Sequence, residues 1–111
     1  MNKEKFSFDN IPKDFKIITL CGSTKFKLEF EKVNRDATLD NRIVLGPGVY
    51  AHYDKIELSR LDKYKLDLLH KEKISLSHCI IVVNKNNYIG TSTKSEIKFA
   101  LLNNKKIYYY Y

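Results

Sequence analysis

The chain has 111 residues, 43% of them apolar and 30% charged, with a formal net charge of +7. That length supports one domain with a single core, and the longest apolar run is far too short to span a bilayer. The polar, Lys-containing start lacks the apolar stretch of a signal peptide, so a cytoplasmic location is expected and no membrane partner.

The lysines are spread along the chain with no run of five like charges, so the basic balance does not single out nucleic acid. A nucleotide phosphate or a solvated Lys-rich surface suits it as well. Cys21 and Cys79 each fall on an expected buried strand, without a C-x-x-C pattern or a His at metal-ligand spacing. Reduced, buried thiols are expected, with no metal and no cofactor.

Residues 1–14 read as a polar N-terminal arm with Phe6 and Phe8 as anchors. A first strand over 16–21 ends at Gly22-Ser23-Thr24. Phe26, Phe30, Val33 and Ala37 then recur at spacings of four, three and four, which predicts an amphipathic helix over 24–39. A short strand over 42–45 completes a right-handed βαβ unit. Gly46-Pro47-Gly48 breaks regular structure and opens an aromatic loop that carries Tyr50, His52 and Tyr53. A second helix is expected over 56–76, with Leu58, Leu61, Tyr64, Leu68 and Leu69 as its apolar stripe. A strand over 78–83, a helix over 93–102 and a strand over 105–111 finish the chain.

This alternation predicts one α/β domain over 15–111. Its core is a doubly wound parallel sheet of about four strands, flavodoxin- or Rossmann-like, in the order 2-1-3-4. The carboxyl edge of such a sheet is where ligands bind.

Three features fall on that edge. Cys21-Gly22-Ser23-Thr24-Lys25 places hydroxyls and backbone N–H groups at a helix start, where an anion is favoured. The same turn also serves as a helix cap with no ligand at all. Glu96 follows Gly90-Thr91-Ser92-Thr93 and has two readings: the last residue of a Thr93-to-Glu96 capping box, or a carboxylate facing the cleft as nucleophile or base. His52, Tyr50 and Tyr88 lie in loops that converge there. A nucleobase can stack on such rings, and plain hydrophobic cover accounts for them equally. His70 and His78 lie on the second helix and at the start of the third strand.

Taken in order, the motifs Leu-Cys-Gly-Ser-Thr-Lys-Phe, Gly-Pro-Gly-Val-Tyr-Ala-His, Leu69-His70-Lys71-Glu72-Lys73-Ile74, and Asn84 with Tyr88-Ile89-Gly90-Thr91-Ser92-Thr93, Glu96 and Ala100 resemble the nucleoside 2-deoxyribosyltransferase superfamily. The closest likeness is to its small bacterial and phage-type members. The superfamily includes the deoxynucleoside 5'-monophosphate N-glycosidases. The resemblance implies cleavage of an N-glycosidic bond, with Glu96 attacking C1' and water or a second base resolving the sugar ester.

It also implies substrate contacts from Cys21, Gly22, Ser23, Thr24, Lys25, Gly48, Tyr50, His52, Asn84, Tyr88, Gly90, Ser92 and Thr93, and self-association. The sequence departs from the family at His70 and His78, where better-known members carry Asp. His70 at that place suggests a proton donor to the departing base. A nucleotide-binding module without turnover, and a basic nucleic-acid-binding protein, are the alternatives.

Overall fold

Four stretches rich in β-branched residues form one parallel sheet in the computed structural model, which describes residues 5–111. The strands are β1 (Ile17–Cys21), β2 (Ile43–Leu45), β3 (Cys79–Val82) and β4 (Lys106–Tyr109), in the order β2-β1-β3-β4. Helices α1 (Lys27–Leu39), α2 (Arg60–Leu76) and α3 (Thr91–Leu102) make the crossovers. The doubly wound sheet of order 2-1-3-4 predicted from the sequence is therefore present.

The central strands β1 and β3 pair in register, with Ile18 opposite Cys79 and Cys21 opposite Val82. Both are covered on two faces, which accounts for the unbroken apolar run at 79–83. Alternation along β1 sends Ile18 and Leu20 toward α1, into a cluster with Phe26, Phe30 and Val33. Cys21 points to the other face, into a cluster with Ile74 of α2 and Ala100 of α3. One pleat step thus decides which helices each β1 side chain meets.

Several boundaries differ from expectation, each for a local reason. The first helix opens with a 3-10 turn, Thr24–Phe26, so regular α-helix starts only at Lys27. Helix α2 starts at Arg60 rather than near residue 56, because Ser59 Oγ caps it by accepting the Asp62 N–H at 3.0 Å. Helix α3 begins two residues early, at Thr91. Beyond β4 the backbone continues to pair: Tyr110 N–H donates to Val82 O, and Tyr111 N–H donates to Asn84 Oδ1 at 2.9 Å.

The expected apolar stripe of α2 is not core. Leu61, Tyr64, Leu68 and Leu69 are exposed, and the buried residues of that helix are His70 and Ile74. A helix seats one face on a sheet, and the pair four residues apart that meets β1 and β3 turns the leucines outward. Among the described residues, no helix is long and apolar enough to cross a membrane.

The described part of the N-terminal arm is docked onto the domain. Ile11 is buried in the α1-side cluster, and Phe6 and Phe8 pack against it. Arg42, itself buried, donates to the carbonyls of Phe8, Ile11, Pro12 and Phe15 and pairs with Asp40 at 3.0 Å. A segment that reads as polar by composition is thereby tied down through its backbone. Residues 1–4 of the arm lie outside the described residues.

Candidate functional site

The crossovers from β1 and β3 leave to opposite sides of the sheet, and the gap between their carboxyl ends is a cavity of about 510 Å³. Gly22, Ser23 and Thr24 form one wall, and Gly48 and His52 come in from the loop after β2. Helix α2 contributes Lys63, Asp67, His70 and Lys73. The α3 side contributes Tyr88, Gly90, Ser92, Thr93 and Glu96.

The β1 turn is built by close approach. Gly22 has φ +155°, and a Cβ there would stand 2.8 Å from Val83 O and 3.2 Å from the Phe30 ring. No side chain fits, and the turn can drop into the sheet edge only with glycine. Ser23 then accepts the Lys25 N–H at 3.3 Å, and Thr24 Oγ1 accepts the His52 N–H at 3.3 Å. That second bond, with the Lys27–Asp54 ion pair at 3.0 Å, ties the β2–α2 loop to the 3-10 turn and the start of α1.

Four expected substrate contacts do not line the cavity. Lys25 Nζ lies 3.3 Å from the centre of the Tyr88 ring, a cation–π contact that occupies its charge. Tyr50 packs edge-on against Phe30. Asn84 is buried and bonded in both directions to the Tyr111 backbone, so its amide anchors the segment after β4. Cys21 lies beneath the floor, with no exposed surface. His78, at the far end of β3, accepts the Ile17 N–H at 3.0 Å and stacks on Phe15.

Glu96 does not cap α3. Because α3 starts at Thr91, Glu96 is the sixth helical residue, more than a turn past the Gly90 cap position, which carries no side-chain cap bond. The capping box therefore does not form. The carboxylate instead faces α2, with Oε1 3.8 Å from His70 Nε2. Oε1 is buried and has no hydrogen-bond partner among the described residues. The same His70 Nε2 lies 3.5 Å from Cys21 Sγ.

The electrostatics favour neutral groups. Burial, then the charge of Asp67, pushes the Glu96 carboxyl up from 4.5 to about 7, against smaller opposing effects of the Cys21 thiol, Lys71 and Lys63. Burial, then Lys73, pushes the His70 imidazole down to about 4, opposed by the Leu20 backbone and Asp67. Burial, then Glu96, raises the Cys21 thiol well above its usual range. The Glu96–His70 contact has the distance of an ion pair, but an ion pair would shift both groups the other way. Burial therefore disfavours the protonated imidazole that the proton-donor expectation for His70 requires. Nor is the trio a Cys–His–Glu relay, since both neighbours address one ring nitrogen and Cys21 is inaccessible.

Asp67 and Lys63 are cavity residues that the sequence motifs do not include, and Lys73 enters them only within the motif at 69–74. The signal was available: Lys63, Asp67, His70 and Lys73 step by four, three and three, which puts them on one helix face beside the buried Ile74. No family model matches the sequence, and comparison with curated proteins finds no match either.

Proposed function

We infer that this protein cleaves the N-glycosidic bond of a (deoxy)nucleoside or its 5'-monophosphate, by hydrolysis or by transfer to a second base. The observation that carries this reading is the position of Glu96. Its side chain lines the same cavity as the Gly22-Ser23-Thr24 turn, at the carboxyl ends of the two central strands. With the sugar between them, a Glu96 oxygen attacks C1' as the C1'–N bond breaks, and the base leaves with the electron pair. Water or a second base then attacks C1' and releases the carboxylate, so configuration at C1' is retained. A proton reaches the departing base from solvent at the cavity mouth or from His70, which stands 3.8 Å from Glu96.

The turn end of the cavity suits the 5' side of the sugar. Backbone N–H groups at the start of the α1 segment favour a phosphate there, with Lys63 in the cavity wall and Lys73 engaged with the Gly46 carbonyl at 2.8 Å. Self-association accompanies this reading, since Leu61, Tyr64 and Leu68 form an exposed apolar face on α2.

The test is incubation with a panel of nucleosides and 5'-monophosphates, with and without a second free base, following base release by chromatography. Release that Glu96→Gln abolishes supports the reading. Saturable nucleotide binding with no release would leave a binding module, and steep salt-dependent binding to DNA or RNA, indifferent to mononucleotides, would point to a nucleic-acid partner.

A further inference from the structure

At the cavity floor, three side chains from three elements turn their donor atoms toward one point. Cys21 Sγ arrives from the end of β1, His70 Nε2 from α2 and Glu96 Oε1 from α3. The separations are 3.5 Å from sulfur to nitrogen and 3.8 Å from nitrogen to oxygen, and the donor atoms of the three residues all lie within 4.8 Å of one another. A hydrogen-bonded relay would use both ring nitrogens of the histidine. Here one nitrogen meets both neighbours, and the Glu96 oxygen has no hydrogen-bond partner among the described residues. The Cys21 thiol bonds the ring nitrogen and interacts with the Glu96 carboxyl, but convergence of a thiol, an imidazole nitrogen and a carboxylate oxygen on one point is also the geometry of ligands around an ion.

The distances fit a specific kind of ion. With Zn–S of about 2.3 Å and Zn–N and Zn–O of about 2.0–2.2 Å, tetrahedral angles put neighbouring ligand atoms roughly 3.4–3.6 Å apart. The sulfur–nitrogen edge already has that length, the nitrogen–oxygen edge needs a movement of a few tenths of an ångström, and the sulfur–oxygen edge, within 4.8 Å, closes by side-chain rotation of Glu96. A thiolate, an imidazole and a carboxylate suit Zn²⁺ or Co²⁺ and not the oxygen-seeking Mg²⁺ or Ca²⁺. His70 and Glu96 line the cavity, so an ion has a route in and a fourth position open to water or substrate.

We propose that Cys21, His70 and Glu96 form a three-ligand site for a thiophilic divalent cation, Zn²⁺ in kind, at the floor of the cavity. Binding replaces the proton of the Cys21 thiol: one S–H bond is lost, one sulfur–metal bond forms, and a proton passes to solvent. A second consequence rests on the glycosidic reading above. The carboxylate oxygen that holds the metal is withdrawn from attack on C1', so the metal-loaded protein is switched off and removal of the metal restores it.

The experiment is a Co²⁺ titration of the whole protein after stripping with a chelator. A thiolate-to-cobalt absorption band that saturates at one equivalent per chain, with proton release, and that Zn²⁺ displaces, is the expected result. Cys21→Ser should lose the band. His70→Ala and Glu96→Gln should weaken binding, whereas Cys79→Ala, which alters the other buried thiol at the opposite strand end, should keep it. Circular dichroism checks that each variant folds; if Cys21→Ser does not, His70→Ala and Glu96→Gln carry the comparison. Absence of a saturable thiolate band, or a band unchanged in folded ligand variants, overturns the proposal. A metal that binds through the three residues yet leaves base release unaffected supports the site and overturns Glu96 as nucleophile instead.

Discussion

His70 Nε2 stands 3.8 Å from Glu96 Oε1, yet burial holds both side chains toward their neutral forms and the contact does not act as an ion pair. Helices α2 and α3 bring the two groups together at the edge of an apolar cluster, where a lone charge is expensive. Desolvation therefore moves the Glu96 ionisation up to about 7.

Replacement of Glu96 by Gln keeps the shape of the floor and removes the attacking oxygen's charge. Base release, measured by chromatography with a chelator present, should fall at least about 10³-fold. Full activity in that variant would end the assignment of Glu96 as nucleophile.

The same two residues should tune stability with pH in opposite senses. Glu96 is raised from 4.5 to about 7, so its contribution is intact below pH 4.5 and is lost as pH rises through 7, on the order of 3 kcal/mol in the metal-free protein. His70 is lowered from 6.5 to about 4, so its contribution is present above pH 6.5 and is lost as pH falls through 4. The two effects oppose each other between pH 4.5 and 6.5, so urea midpoints of the chelated protein should stay nearly level there, and Glu96→Gln should expose a rise with pH carried by His70 alone; a variant profile as level as the parent's would contradict the buried placement of the carboxyl.

Gly22→Ala tests the turn. The added methyl would press on the Val83 carbonyl and the Phe30 ring, so a loss of roughly 1–3 kcal/mol is expected in chemical denaturation. Any relief has to come from parting the ends of β1 and β3, which would raise KM as well.

Arg42→Met tests the N-terminal clamp. The change strands four backbone carbonyls and Asp40 beside an apolar side chain. About 3–5 kcal/mol should be lost. Limited proteolysis should then cut between residues 5 and 15 while leaving the sheet intact, and a variant as stable and as resistant as the parent would refute the clamp.

The outward face of α2 carries the prediction about assembly. Leu61→Glu combined with Leu68→Glu should leave the fold intact by circular dichroism and shift sedimentation velocity toward a single chain, because the leucines are exposed in the protomer. A parent that already sediments as a monomer at every concentration would rule out this face as an interface.

The sequence by itself determined the sheet. Its β-branched runs and helix-spaced aromatics repeat in the order that a right-handed parallel crossover requires, so strand order and the ligand-binding edge follow from local pattern and chirality. It also placed Glu96 and Gly22 on that edge. What it did not contain was the side chain's direction. The Thr93-to-Glu96 spacing matched a capping box, and only the start of α3 at Thr91 put Glu96 too far along to cap. The leucines of α2 read as core because periodicity fixes which residues share a face and not which face meets the sheet. Likewise no spacing rule joins Cys21 to His70, 49 residues apart. Their meeting, with Glu96 beside them, depends on the pleat of β1 and the seating of two helices, which are properties of packing.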